Sequence, residues 1–195
     1  MKELFRKYKS VLRFLLLFLG SYIVLSLMYG GYLKLSIGDS NTSDFITQLV
    51  AEQSNAVLNS LGFNAEVLAN EALPSMQLWV EGVWVGRIIE GCNAISIIIL
   101  FAAFIFSFAV SFKRTLVFLF AGATLIYAVN IVRIAILAIA LYQYPQYQEI
   151  LHTVVFPGII YSLVFVLWVV WVRNLNLGKK NDSSFQGGER GSYEG

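Results

Sequence analysis

Four long apolar runs, separated by polar stretches, dominate the pattern of this chain. They cover residues 14–33, 94–112, 115–141 and 153–171. The first run has 20 residues without a charge, which suits a helix that crosses a hydrocarbon core of ~30 Å. With 57% hydrophobic and 13% charged residues, several membrane spans explain the composition better than one large core. We predict an all-α polytopic membrane protein with four transmembrane helices.

Residues 34–91 form the single long polar segment, and its first half predicts an amphipathic helix. Apolar residues recur there at helical spacing, and the polar cluster 39–44 before them supplies N-cap candidates. Gly62 can close the C-terminus of this helix. We expect the helix to lie on the membrane face or to cover the bundle. The apolar positions are Ile46, Val50, Val57 and Leu61.

The second half of the polar segment predicts a β-hairpin within a short antiparallel sheet. Residues 63–68 alternate weakly, as in a strand. Residues 77–80 and 83–89 flank Glu81-Gly82, a pair typical of a tight hairpin turn. The last strand would lead to the single cysteine of the chain. Two tryptophans of the hairpin suit an interfacial aromatic belt, with contact to a substrate as the alternative, namely Trp79 and Trp84.

A basic start precedes the first apolar run, as in a signal sequence. The run is longer than the ~7–15 residues of a signal-peptide core, which favours an uncleaved signal-anchor. Cleavage near Ser36-Ile37-Gly38 is the alternative. The basic residues are Lys2, Arg6, Lys7, Lys9 and Arg13.

The distribution of basic residues predicts the orientation in the membrane. The N-terminal segment, the 113–114 loop and the tail carry 11 of the 14 Lys and Arg residues. The segments 34–91 and 142–152 carry two, against eight acidic residues. Because short loops rich in Lys and Arg stay in the cytoplasm, both termini are predicted inside and residues 34–91 outside. We expect one membrane-embedded domain, 1–175, and a disordered cytoplasmic tail, 176–195.

Two prolines mark the last connection and the last span. Pro145 and its neighbours predict a turn rather than a helix within residues 142–152. Pro157 lies near the start of the last span, where a missing N–H is best tolerated.

Cys92 is the only cysteine, and it opens the second apolar run. We expect it in the first turn of a membrane helix, where unpaired N–H groups favour an anion and therefore the reactive thiolate. Ser96 would share its face of that helix. One Cys excludes an internal disulfide, and one Cys with one His disfavour a zinc or iron site. We expect neither a metal nor another cofactor.

Arg133 is the only charged residue within the four runs. An arginine at mid-helix costs ~2.5–3.5 kcal/mol on insertion scales, which points to a partner or a purpose. Counted from the start of its run, Arg133 lies ~27 Å along the helix. This depth is near the outer boundary, the level predicted for Cys92 and His152. Asn130 shares the helix face of Arg133, as does Tyr127 one turn below.

Each of these residues has a simpler explanation on its own. A lone cysteine often packs as a small inert side chain, and an arginine can reach lipid phosphates by snorkelling. An isolated histidine is often an ordinary loop residue. Their coincidence is more informative, since Cys92, Arg133 and His152 come from three separate helices and fall at one level. A nucleophile, an oxyanion partner and a proton carrier require such an arrangement.

Three motifs carry a resemblance to a known family. Glu90-Gly91-Cys92-Asn93-Ala94, Asn130-Ile131-Val132-Arg133-Ile134 and His152 resemble the Cys, Arg and His motifs of the exosortase/archaeosortase family. The resemblance extends from about residue 79 to residue 171, and the short chain is most similar to the compact exosortase F type. Ala94 stands where the resemblance leads us to expect a glycine.

The resemblance implies a membrane-embedded cysteine protease or transpeptidase. Its substrates would be exported proteins with a C-terminal motif, a transmembrane helix and a basic tail, cleaved at the outer face of the bacterial cytoplasmic membrane. The lipid bilayer is the other expected partner, no nucleic acid is expected, and the oligomeric state is left open. The implied catalytic residues are Cys92, Arg133 and His152, with Asn130, Asn93 and Ser96 in support.

A non-enzymatic reading is the main alternative. The polar stripe around Arg133 could bind a partner helix in an integral-membrane assembly or chaperone subunit. A transporter is disfavoured, because four spans carry one charge and no pair of discontinuous helices is apparent.

Overall fold

The computed structural model describes residues 8–37, 43–70, 72–109 and 111–189, which form helices and one small sheet. The longer helices are α1 (Lys9–Ile37), α2 (Phe45–Ser60), α3 (Ile95–Ser107), α4 (Phe112–Gln143) and α5 (Phe156–Glu189). The strands are β1 (Ala65–Ala69), β2 (Met76–Val80) and β3 (Val83–Ile88). Some sequence predictions concern residues outside these ranges, namely Lys2, Arg6, Lys7, Gly38, the cluster positions 39–42 and the tail residues 190–195.

Three helices of the described residues are long and apolar enough to cross a membrane. The spans are Val11–Ser36, Phe112–Gln143 and Pro145–Asn174. They contain the predicted runs 14–33, 115–141 and 153–171, respectively. The chain is therefore a mostly helical protein whose composition and helix lengths fit a membrane protein.

The prediction of four full spans is not confirmed, because the second run forms the short helix α3. Its 13 residues extend only ~20 Å at 1.5 Å per residue. Residues 92–94 do not join the helix, since Ala94 adopts a left-handed conformation with φ 66°. At the other end Phe108 leaves helical geometry, and its N–H bonds Ile105 three residues back. No Gly or Pro marks this end, so the sequence gives no sign of it.

Two predicted loops are helical in the structure. Lys113 and Arg114 lie in the first turn of α4 rather than in a loop before it. After α4, the chain forms short helical turns, Pro145–Tyr147 and Gln148–Ile150. These continue into a π-helical turn, Leu151–Val155, that joins α5.

The helix α5 begins at Phe156 and continues to Glu189, into the segment predicted to be disordered. No proline follows Pro157 in the sequence, so no residue of that segment excludes a helix sterically. Pro157 itself lies in the first turn of α5, as expected.

The polar segment folds as predicted into an amphipathic helix and a small sheet. Asp44 caps α2, since its carboxylate accepts the backbone N–H of Thr47 at 3.1 Å. Gly62 follows the helix with φ 92°, a conformation that favours glycine. The three strands pair antiparallel in the order β1-β2-β3. Glu81 and Gly82 both have positive φ, the signature of the tight turn predicted between β2 and β3.

Two apolar cores hold the molecule together. The first lies between α2, the sheet and the C-terminal half of α4, with Val50, Val80 and Ala135 almost fully buried. The second lies between α3, α4 and α5, around Phe101 and Val164. The helix α3 contacts α1, α4 and α5, so it is enclosed by the three long helices. The first core positions the segment that contains Cys92.

Candidate active site

Cys92 lies in a single 3₁₀ turn, Glu90–Cys92, between β3 and α3. The prediction that it occupies the first turn of the membrane helix is therefore wrong, since α3 begins only at Ile95. The reason is local, because Asn93 and Ala94 form a separate turn before the helix. Cys92 is half-buried and packs against the core formed by α2, the sheet and α4. Its backbone N–H bonds the carbonyl of Ile89 at 2.8 Å.

Asn93 fixes this turn through its side chain. Its Oδ1 accepts the backbone N–H of Ile95 at 3.0 Å, a side-chain turn typical of asparagine. This bond satisfies one of the N–H groups left unpaired at the start of α3. Asn93 is fully buried, and the family resemblance implied only a supporting role for it.

The amide nitrogen of Asn93 connects the turn to two other helices. It donates to the Tyr29 hydroxyl at 2.8 Å and to the Thr47 hydroxyl at 3.2 Å. The Thr47 hydroxyl in turn donates to the buried Asp44 carboxylate at 2.5 Å. Tyr29 belongs to α1 and Thr47 to α2, so three separate segments meet beside Cys92. This polar network connects the cysteine turn to the first predicted span, α1, and to the N-terminus of α2.

Tyr29, Thr47 and Asp44 are residues of the site that sequence reasoning did not find. Asp44 was recognised only as a possible helix cap, and it does cap α2. Tyr29 lies in an apolar run with other tyrosines, and no spacing rule relates it to a residue 64 positions away.

Asn130 links Cys92 to Arg133 of α4. Its Nδ2 donates to the carbonyl oxygen of Cys92 at 2.7 Å. Its Oδ1 accepts from Nη1 of Arg133 at 3.3 Å. Asn130 is almost fully buried, and both bonds are partly buried. The structure thus brings together Cys92, Asn130 and Arg133, three residues predicted to belong to one site.

Arg133 retains hydrogen-bonding capacity after this contact. The buried Nε has no partner among the described residues, and no described carboxylate pairs with the guanidinium. The guanidinium carbon lies 6.0 Å from the centroid of the Phe156 ring, within the range of a cation–π contact. Arg133 as a whole is half-buried, and such a cation suits an oxygen that develops negative charge.

His152 is exposed and lies in the π-helical turn before α5, not in a loop as expected. Phe156, four residues further along, is the residue that contacts Arg133. The turn of His152 therefore precedes the helix that contributes this ring. His152 forms no hydrogen bond with any described residue, including Cys92.

Two further residues that the sequence analysis singled out, Ser96 and Tyr127, have separate positions. Ser96 is exposed and makes no hydrogen bond within the described chain, and it shares no helix face with Cys92 because Cys92 lies outside α3. Tyr127 donates its hydroxyl to Oε1 of Gln53 at 2.8 Å, which joins α4 to α2.

The fold and the site define a class of protein. It is a helical membrane protein in which α2 and the sheet, together called the cap, hold a single cysteine beside Asn130 and Arg133 of α4. The sequence model of the transmembrane exosortase family (Exosortase_EpsH) matches residues 6–172 of the chain. The chain therefore belongs to this family. Neither the curated proteins nor the solved structures compared with the chain contain a match.

Proposed function

We propose that the chain is a cysteine protease or transpeptidase that cleaves C-terminal sorting signals of exported, membrane-anchored proteins. The observation that supports this proposal best is the position of Asn130. One buried amide holds the Cys92 carbonyl at 2.7 Å and the Arg133 guanidinium at 3.3 Å. The only cysteine of the chain therefore shares a site with the only charge of the apolar runs. Family membership agrees with this chemistry.

The proposed reaction proceeds by acyl transfer. The Cys92 thiol gives its proton to His152, and the thiolate adds to the carbonyl carbon of the scissile bond. The resulting oxyanion is stabilised by donors of Arg133, a contribution that is often large in acyl transfer. The intermediate expels the amine, which takes the proton from His152, and a thioester remains on Cys92. An acceptor with an O–H or N–H then attacks the thioester, gives its proton to His152 and regenerates the thiolate.

Two of the three supporting residues, Asn130 and Asn93, have positioning roles in this proposal, whereas Ser96 has none. Asn130 orients Arg133 and the backbone of Cys92 together. Asn93 holds the same backbone from the opposite side, through Tyr29 and Thr47. Such restraint on both sides of the cysteine keeps the sulfur in a fixed direction, which acyl transfer requires.

The test is processing of membrane proteins in cells that produce single variants. Cys92→Ala and Cys92→Ser should abolish processing, because alanine has no nucleophile and a hydroxyl needs stronger activation than one histidine provides. Arg133→Lys should also fail, since an ammonium group lacks the planar fork of donors. The measurement is the size and membrane retention of every exported protein, compared by proteomics between wild-type and variant cells.

Ser96→Ala is the matched control, because Ser96 is exposed and makes no hydrogen bond within the described chain. It should leave processing unchanged. Full processing with Cys92→Ala at normal protein levels contradicts the nucleophile role. In that case a non-enzymatic assembly role, which tolerates small substitutions at Cys92, explains the site better.

A further inference from the structure

We propose that the free edge of β3 binds an extended segment of the substrate polypeptide as a fourth strand of the sheet. This inference rests on the proposed function and specifies how its substrate is held. The order β1-β2-β3 makes β1 and β3 the two edges of the sheet. The strand β3 is also the element that leads into the cysteine turn.

The edge of β1 is occupied where the strand begins. The backbone N–H of Ala65 donates to Oδ1 of Asn59 at 3.1 Å, and the Ala65 carbonyl accepts from Nδ2 of Asn59 at 3.1 Å. The side-chain amide of Asn59 thus makes the two hydrogen bonds that one residue of a neighbouring strand would make. Natural sheets often protect an edge in such ways, because unpaired backbone groups attract other chains.

These bonds also determine which groups of β3 face outward. Because Ala65 turns its N–H and C=O away from β2, its partner Val80 turns its own groups toward β3. Successive residues of β2 alternate in direction, so Trp79 and Gln77 face β1. Their partners on β3 are Trp84 and Arg87, which must therefore point their backbone groups at the free edge.

The outward groups of β3 are accessible. No described residue forms a hydrogen bond with the backbone of β3 other than its ladder with β2. The side chain of Trp84 is 51% exposed, and Arg87 is exposed as well. A bulge opposite Leu78 places one extra residue between Trp84 and Arg87. The edge thus offers two sets of donor and acceptor, at Trp84 and at Arg87, that are three residues apart.

The occupant is an extended polypeptide, because only such a chain presents N–H and C=O groups at strand spacing. The position of the edge favours the substrate in particular. Only Ile89, Glu90 and Gly91 separate β3 from Cys92. At ~3.3 Å per residue, the distance from Ile88 to Cys92 is at most ~13 Å, within reach of about four extended substrate residues. A peptide paired with β3 would thus pass beside the nucleophile in the extended form that exposes its carbonyl.

The test removes a backbone N–H from each edge in turn. First, comparison of wild-type and Cys92→Ala cells identifies a protein whose anchor is lost only with the wild type. Trp84→Pro and Arg87→Pro each remove an outward N–H of β3 without loss of a ladder bond. Each should slow processing of that protein roughly tenfold, the effect of one or two lost hydrogen bonds. The rate is measured by pulse-chase labelling.

Three controls make the result specific. Ala69→Pro removes an equivalent N–H from the β1 edge and should leave the rate unchanged. Directions alternate along a strand, so Ala69, four residues after Ala65, also turns its N–H away from β2. Trp84→Ala and Arg87→Ala keep the N–H and should retain most activity. Alkylation of Cys92 should proceed at the wild-type rate in both proline variants, which shows that the site is intact.

The outcomes separate the two proposals. If no protein depends on Cys92 for processing, the proposed function fails and the inference fails with it. If processing depends on Cys92 but both proline variants work at the wild-type rate, only the inference is overturned. Equal losses with alanine and proline also overturn it, because the side chains rather than the backbone would then bind.

A cross-linking experiment decides the case in which the proline variants lose Cys92 alkylation through misfolding. The chain with Arg87→Cys and Cys92→Ala is oxidised with substrates that carry one cysteine at successive positions. Strand pairing predicts cross-links at every second position, because side chains on one face of a sheet repeat with period two. A uniform or absent pattern overturns the inference. So does a disulfide between two copies of the chain, which would indicate that β3 pairs with its own counterpart.

Discussion

At the residue scale, two asparagines determine where the single cysteine lies. Asn93 anchors the turn to α1 and α2, and Asn130 anchors the Cys92 carbonyl to α4. Both side chains are nearly inaccessible to water, where an unpaired amide would be costly. The turn Glu90–Cys92, which both asparagines hold, therefore has little freedom to reorient. This restraint also explains why the chain tolerates an unfavourable backbone conformation at Ala94, the residue after Asn93.

Ala94 adopts that conformation, with φ 66° at the N-cap of α3. The left-handed region costs a residue with a Cβ roughly 1–2 kcal/mol and costs glycine almost nothing. Ala94→Gly should therefore raise the free energy of unfolding by about 1 kcal/mol. The measurement is the thermal unfolding midpoint of the purified protein in detergent.

The control for this prediction is Ala138→Gly, a buried position in the C-terminal part of α4. There the same change should lower the midpoint, because glycine weakens a helix interior. A decrease with Ala94→Gly as well would mean that the alanine methyl group contributes more by packing than the conformation costs.

The site could be predicted only in part from the sequence. Cys92, Asn130 and Arg133 are conspicuous, because each is a polar residue within or beside an apolar run. Spacing along one helix placed Asn130 with Arg133, and a hydrogen bond joins them. The partners of Asn93 were not predictable, since Tyr29 and Thr47 come from elements whose mutual positions depend on tertiary packing. The prediction that Cys92 lies in the first turn of a helix failed because hydropathy does not reveal a turn such as that of Asn93-Ala94.

At the element scale, α3 and α4 pack closely because one residue lacks a side chain. A Cβ placed on Gly122 would lie 2.3 Å from Cζ of Phe101, well inside contact distance. Phe101 is fully buried, so its ring has no free space to enter. Gly122 therefore serves as the notch in α4 that receives the Phe101 ring of α3.

Gly122→Ala should lower the free energy of unfolding by about 1–3 kcal/mol, the usual range for overpacking. Phe101→Leu removes the clashing atoms, so the double variant should be more stable than the sum of the two single losses predicts. Thermal unfolding of the four proteins in detergent measures this coupling. Strict additivity of the two losses would contradict the notch. Gly158→Ala is a control, since no atom lies within 4 Å of its added Cβ.

Elements were predictable where a local pattern determines them. The hairpin followed from Glu81-Gly82. The existence of α2 followed from its apolar spacing, but of the predicted apolar positions only Val50 is fully buried, and Leu61 lies after the helix and is exposed. The length of α3 was not predictable, because residues 107–111 contain no helix breaker and the helix nevertheless ends at Ser107. The path of the chain around α3 is determined by contacts with three other helices instead.

At the scale of the whole molecule, distances along α4 can be compared with the thickness of a membrane. The 20 residues from Lys113 to Arg133 extend ~30 Å along the helix, which equals the thickness of a hydrocarbon core. Since Asn130 contacts Cys92 near one end of this interval, we expect the cap to lie at the opposite boundary from Lys113. On this scheme α3 and its non-helical flanks together cross the same interval.

Reporter fusions test this arrangement. A reporter that is active only outside the cytoplasm should work after Gly62 and fail after Lys113 or Lys180. Activity after Lys113 would mean that α3 does not return the chain to the cytoplasmic side. Fusions of a reporter active only in the cytoplasm should give the complementary pattern, which controls for unstable fusion proteins.

The π-helical turn Leu151–Val155 changes how the histidine should be compared with those of related chains. Such a turn is equivalent to an α-helix into which one residue has been inserted. Because each α-helical residue advances by ~100°, the insertion rotates every preceding residue by about that angle relative to Pro157. In a related chain without the π-helical turn, a histidine with the same direction around the helix axis would lie one position away in the sequence. A sequence alignment based on the last span would then pair His152 with the wrong residue. The histidines should instead be compared by their angle around the helix axis.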